Sequence, residues 1–124
     1  MKAEAPSREE IAGLIESGQR RLLDASNEQL SLESRFDLAY NAAHALSLAA
    51  LRRKGFRSGN RYLVFQTLKE TADLPAPRWR VLDNAHRKRN LSEYEGHLDI
   101  DQALVVAVIR TAHQILDHLN QTNE

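Results

Sequence analysis

Apolar residues recur along this chain at intervals of three and four, the spacing of one helix face, and no segment alternates with the period of two that a strand requires. The first run is Ile11, Leu14, Ile15, Leu22 and Leu23. Ser7, with Glu10 three residues on, has the form of a capping box and predicts a helix that ends near Asp24. A second helix is predicted from about Ser31 to Lys54, stopped by Gly55. It carries two apolar rows, Phe36, Ala39, Ala43, Leu46 and Ala50 beside Leu38, Ala42, Ala45 and Ala49, so it should lie centrally with neighbours on more than one side. Asn60 is placed to cap a third helix over Arg61 to about Ala72, with Tyr62, Phe65 and Leu68 inward. Leu74-Pro75-Ala76-Pro77 ends it, and Pro77 suits the first turn of a fourth helix reaching about Leu91 or slightly further, with Gly96 and the polar Ser92-Glu93 turning the chain before Leu98. Asp99, with Gln102 three residues on, predicts the start of a fifth, lined by Leu104, Val108, Thr111, Ile115 and Leu119.

Short connections favour antiparallel neighbours, so the expected fold is all-α, an up-and-down bundle of four to five helices in one domain over residues 1–124. Residues 1–6 and 120–124 are expected to fray. Hydrophobic residues make up 42% of the chain, enough for a core and too many for a disordered protein. The absence of cysteine excludes disulfides, thiolate metal sites and cysteine nucleophiles. No apolar run approaches the roughly 18 residues of a membrane span, and the N-terminus lacks the apolar core of a signal peptide, so a cytoplasmic protein without membrane contact is expected.

Net charge is zero but unevenly placed. From Arg52 to Arg89 there are eleven cations against three anions, which leaves that segment at +8. Such a surface attracts a polyanion, or it neutralises acidic segments within the bundle or across a dimer. The densest stretch runs from Asp83 to Tyr94 and sets Arg87, Lys88 and Arg89 beside His86, Asn90 and Tyr94. Arginine offers a planar fork of donors that matches phosphate oxygens, Asn90 adds a hydrogen bond, and Tyr94 can bond or stack on a base. An exposed basic helix end, favoured by the helix dipole, is the plainer reading of the same residues. On the second helix Asp37, Asn41 and His44 share a face, either as a solvated strip or as a polar wall facing a site. His113 and His118, five residues apart, stand about 140° out of phase and make a poor metal pair. There is no glycine-rich phosphate loop, His-Glu-x-x-His pair or nucleophile elbow. Neither a metal nor a cofactor is expected.

Two segments carry a family likeness. Phe36-Asp37-Leu38-Ala39-Tyr40-Asn41-Ala42-Ala43-His44-Ala45-Leu46, continuing to Lys54-Gly55-Phe56, and the later Arg89-Asn90-Leu91-Ser92-Glu93-Tyr94, resemble the HEPN superfamily, in particular its small stand-alone UPF0332-like members. The resemblance spans about Arg35 to Leu119. It implies a helical bundle that forms a homodimer and brings two arginine motifs to a shared cleft. It also implies binding of RNA or a nucleotide, and a nucleotidyltransferase or antitoxin as partner. Active members carry Arg-x4-6-His and cut RNA without metal, with arginine on the phosphate and histidine moving a proton at the ribose hydroxyl. Here Arg89 and Asn90 fill the first two places, but Tyr94 stands where the histidine belongs, and His97 falls eight residues after the arginine. Tyrosine, with a reference pKa of about 10, is a poor base at neutral pH. The ligand-binding set is therefore Arg89, Asn90, Tyr94, Asp37, Asn41 and His44, and the catalytic candidates are Arg89, His86, His44 and Tyr94. A metal-independent endoribonuclease is the second expectation. A non-catalytic scaffold assembling through the alanine-rich helix is the third.

Overall fold

In a computed structural model that describes residues 1–122, one long helix runs through the middle of the protein and nearly every other element packs on it. The elements in order are β1 (Lys2–Ala3), α1 (Arg8–Ala25), α2 (Leu32–Arg53), β2 (Phe56–Arg57), α3 (Arg61–Gln66), α4 (Leu68–Thr71), α5 (Ala76–Glu95) and α6 (Gln102–Gln121). The central helix is α2, buried on both of its apolar rows from Phe36 to Leu51 save half-buried Leu38 and Leu48. Its alanines let α1 and α6 approach closely, and Gly18 of α1 does the same from the other side. A Cβ on Gly18 would stand 2.6 Å from Leu46 Cγ, well inside van der Waals contact. The remaining core comes from Phe65, Leu68 and Leu82 and from the α6 stripe of Val105, Val108, Ala112, Ile115 and Leu119. Among the described residues no helix is long and apolar enough to cross a membrane.

Caps set most of the helix starts. Ser7 Oγ accepts the Glu10 amide at 3.3 Å, Ser31 Oγ that of Ser34 at 3.1 Å, and Asn60 Oδ1 that of Leu63 at 3.2 Å. The last helix departs from expectation: its cap is Asp101, whose Oδ1 accepts the Leu104 amide at 2.8 Å, while Asp99 pairs with Lys88 at 3.2 Å. Gly55 and Gly96, at φ 89° and 78°, take the left-handed turn that ends α2 and α5. Gly96 is the stop, as expected, so α5 runs on past Leu91 to Glu95 and includes Tyr94.

The expected third helix is two short ones. Thr67 Oγ1 turns back onto the Val64 carbonyl at 2.7 Å, and α4 restarts at Leu68. Val64, Phe65 and Leu68 take the inward positions, which leaves Tyr62, expected inward, 42% exposed. Leu23, expected on the apolar face of α1, is likewise exposed, since Leu22 and Ala25 fill that contact.

The termini differ most from the frayed ends expected. Residues 2–3 pair antiparallel with 56–57, and the Glu4 amide donates to the Gly55 carbonyl at 2.9 Å. The physical cause is Arg52, whose side chain is 1% exposed. Its guanidinium donates to Glu10 Oε1 at 2.6 Å and to the carbonyls of Glu4, Ala5 and Phe56 at 2.9, 2.7 and 3.3 Å. A buried arginine needs that many acceptors, and the N-terminal segment supplies them. Arg57 bonds both Glu4 and Glu10 from outside. Arg57 foremost holds the Glu4 carboxyl below its usual range, and Arg52 foremost does so for Glu10. At the other end α6 continues to Gln121, and Arg53 donates to the carbonyls of Leu119 and Thr122 at 3.0 and 2.8 Å. Residues 120–122 are thus held; Asn123 and Glu124, also expected to fray, lie outside the described residues.

Candidate anion-binding site

Three helices converge on the ring of Tyr40, which is fully buried. From α2 come Tyr40, Asn41 and His44, the first and last one turn apart on the same face. From α3 come Arg61, in the first turn after its Asn60 cap, and Phe65 one turn later. From α5 come His86, Arg89 and Asn90, which the helical repeat brings along one side. Phe65 and Phe36 pack on Tyr40 at centroid distances of 5.9 and 6.1 Å, so the ring is anchored in the core.

Two guanidinium groups sit over this one ring. Arg61 Cζ lies 5.4 Å and Arg89 Cζ 5.2 Å from the Tyr40 centroid. The π-face attracts each cation, but it does not neutralise them. Arg61 donates to Asn41 Oδ1 at 3.1 Å, and Asn41 is steadied in turn by Asp37, through its backbone oxygen at 2.9 Å and its carboxylate at 3.3 Å. Among the described residues neither Arg61 nor Arg89 forms an ion pair.

Both histidines are part of the same pocket. His86 stacks near Tyr40 at 6.2 Å and is bonded at both ring nitrogens, Nδ1 to Tyr40 Oη at 2.8 Å and Nε2 to Asn90 Nδ2 at 3.1 Å. With the Asn90 amide donating to Nε2, the neutral ring carries its proton on Nδ1 and donates it to Tyr40. Burial holds the His86 pKa below its ordinary value against the pull of Asp83, and Arg61 and Arg89 add to that lowering. His44 packs edge-on against Phe65 at 6.1 Å. Burial foremost, then the charges of Arg61, His86 and Arg89, push it down to about 4. At neutral pH the pocket therefore holds two fixed positive charges and two neutral imidazoles.

The residues singled out in the sequence divide into three groups. Arg89, Asn90, His86, His44 and Asn41 come together. Asp37 is exposed and reaches the pocket only through Asn41. Tyr94 is 88% exposed and stands in an outer groove with Tyr62, Asp83, His86 and Asn90, away from Arg89. Sequence reasoning missed Tyr40 and Arg61 as site residues. Tyr40 carried a signal, since it stands one turn before His44 beside Asn41; Arg61 carried only its position at a helix start.

Chemically, forked guanidinium donors are groups that bind an oxyanion, and a neutral imidazole is one that accepts a proton; both kinds are gathered around Tyr40. No family model, curated protein or solved structure matches this chain.

Proposed function

We propose that this pocket binds phosphate groups of RNA or of a nucleotide, in a dimeric HEPN-type up-and-down helical domain. The observation that carries the reading is the pair Arg61 and Arg89, gathered over one buried ring with no carboxylate to neutralise them. Holding two like charges together costs free energy, and an anion between them recovers it. Within the +8 segment Arg52, Arg57 and Lys88 are paired with carboxylates, and the cations left over supply the wider field that draws a polyanion in. By the resemblance, the partner is a nucleotidyltransferase or an antitoxin.

Fluorescence anisotropy with a labelled single-stranded RNA across a salt series tests this. Replacing Arg89→Ala should weaken binding about tenfold or more, the worth of a charge-assisted hydrogen bond, and flatten the salt slope by roughly one phosphate contact. Unchanged affinity at low salt would overturn the reading.

One observation favours a second activity, metal-independent RNA cleavage. His44 is neutral at pH 7 and shares the pocket with both arginines, so it supplies the proton acceptor that Tyr94 cannot. Cleavage would run in EDTA: the ribose 2′-hydroxyl attacks the adjacent phosphorus as His44 takes its proton, the P–O5′ bond breaks, and the 5′-oxygen leaves with a proton from water, giving a 2′,3′-cyclic phosphate and a 5′-hydroxyl end. Wild-type protein that leaves varied RNAs intact in EDTA, while still binding them, would remove this activity and leave the binding reading standing.

A further inference from the structure

We infer that the groove beside the arginine pocket receives a nucleobase and prefers guanine. The inference rests on the phosphate reading and names the ligand that reading leaves open.

The groove encloses about 410 Å³, a volume suited to a small ligand. It shares His86 and Asn90 with the arginine pocket, so a base seated here would be joined to a phosphate seated there. Two tyrosines line it, Tyr62 from α3 and Tyr94 from α5, exposed at 42% and 88%. Exposed aromatic rings beside a cationic pocket are what unpaired bases stack on. Asp83 lies on the same α5 face, three and seven residues before His86 and Asn90, and it too lines the groove. Its carboxylate is half-buried and has no hydrogen bond or ion pair among the described residues, although Arg87 is nearby and bonds Asn84 instead.

A carboxylate selects among bases by the donors on their edges. Guanine presents N1–H and the N2 amino group side by side, which match two carboxylate oxygens. Adenine and cytosine each set one amino group beside a bare ring nitrogen that repels the second oxygen. Uracil offers one N–H between two carbonyls. Asp83 therefore satisfies both of its oxygens only on guanine, and the charges of Arg61 and Arg89 offset the repulsion between that carboxylate and the nucleotide's phosphate.

Isothermal titration of the whole protein with 5′-GMP, IMP, AMP, CMP and UMP, each in competition with inorganic phosphate, tests this. GMP should bind about tenfold tighter than AMP, CMP or UMP, with IMP between because it lacks the N2 amine. Asp83→Asn should erase the preference and leave inorganic phosphate binding unchanged. Tyr94→Ala, at a site too exposed to disturb the fold, should weaken all five nucleotides about tenfold without affecting phosphate. Equal affinities for all five in the wild type, with phosphate still competing, would overturn the guanine inference and spare the phosphate reading. No binding of phosphate or any nucleotide would overturn both. Should Tyr94→Ala dissociate a dimer in sedimentation while nucleotide affinity stays the same, the groove is an interface between copies and the inference fails.

Discussion

Acid should destabilise this protein through His44 before it reaches the carboxylates. An unfolded chain protonates its histidines at about 6.5, but His44 in the fold takes a proton only at about 4. Above pH 6.5 the ring is neutral in both states and the fold keeps its full stability. Below it the unfolded chain binds a proton that the folded chain refuses, so stability falls with pH until the folded ring titrates too. Linkage gives a loss of about 1.4 kcal/mol at pH 5.5 and about 2.5 kcal/mol at pH 4.5 from this residue alone. His86, held low for the same reason, acts in the same direction. The perturbation that isolates His44 is His44→Phe, which keeps an aromatic ring against Phe65 and removes the titration. Urea unfolding at pH 7.5, 5.5 and 4.5 should show wild type losing those amounts relative to the variant as pH falls, with His86 common to both. An NMR titration of the His44 ring should find its midpoint near 4, rising when phosphate is added, because an anion screens the two arginines. Parallel pH dependence of wild type and variant would refute both the burial of this imidazole and its place beside the cations.

Two structural predictions follow from close contacts. Gly18→Ala drives a methyl group into the fully buried side chain of Leu46, and overpacking of about 1–3 kcal/mol outweighs the gain in helix propensity. Gly13→Ala on the same helix meets nothing within 4 Å and should stabilise by about 0.5–1 kcal/mol, so chemical denaturation should give the two changes opposite signs. Arg52→Met strips the acceptors of Glu4, Ala5 and Phe56 of their donor and should cost about 3 kcal/mol, the low end for breaking a buried pair because Arg57 still holds both glutamates. Hydrogen exchange should then show the Glu4 amide losing its protection; protection equal to wild type would mean the N-terminal segment is held by something other than Arg52.

Local signals were legible in the sequence and long-range ones were not. The two apolar rows of α2 announced a central helix because burial on two faces leaves a periodic mark within one segment. Ser7, Asn60 and Gly55 were readable for the same reason, as each acts within three or four residues. The last cap is Asp101 rather than Asp99, which instead pairs with Lys88, eleven residues away in sequence. The docking of residues 2–5 depended on Arg52 and Glu10, 42 residues apart in sequence. Arg89, Asn90 and His44 could be singled out because their chemistry stands out. Arg61 could not, since one arginine at a helix start says nothing until the fold sets it across from another. Tyr94 and Arg89 diverge by geometry that spacing does carry: five residues along a helix is about 140° of rotation, which turns one side chain to Tyr40 and the other to the outer groove.

The central claim is that Arg61 and Arg89 act on one phosphate. A double-mutant cycle on Arg61→Ala and Arg89→Ala, read by RNA affinity at fixed low salt, tests it most directly. Shared occupancy predicts that each single change weakens binding about tenfold or more and that the double mutant loses much less than the product of the two. Strictly additive losses would place the arginines on separate phosphates, and two silent single mutants would contradict the site altogether.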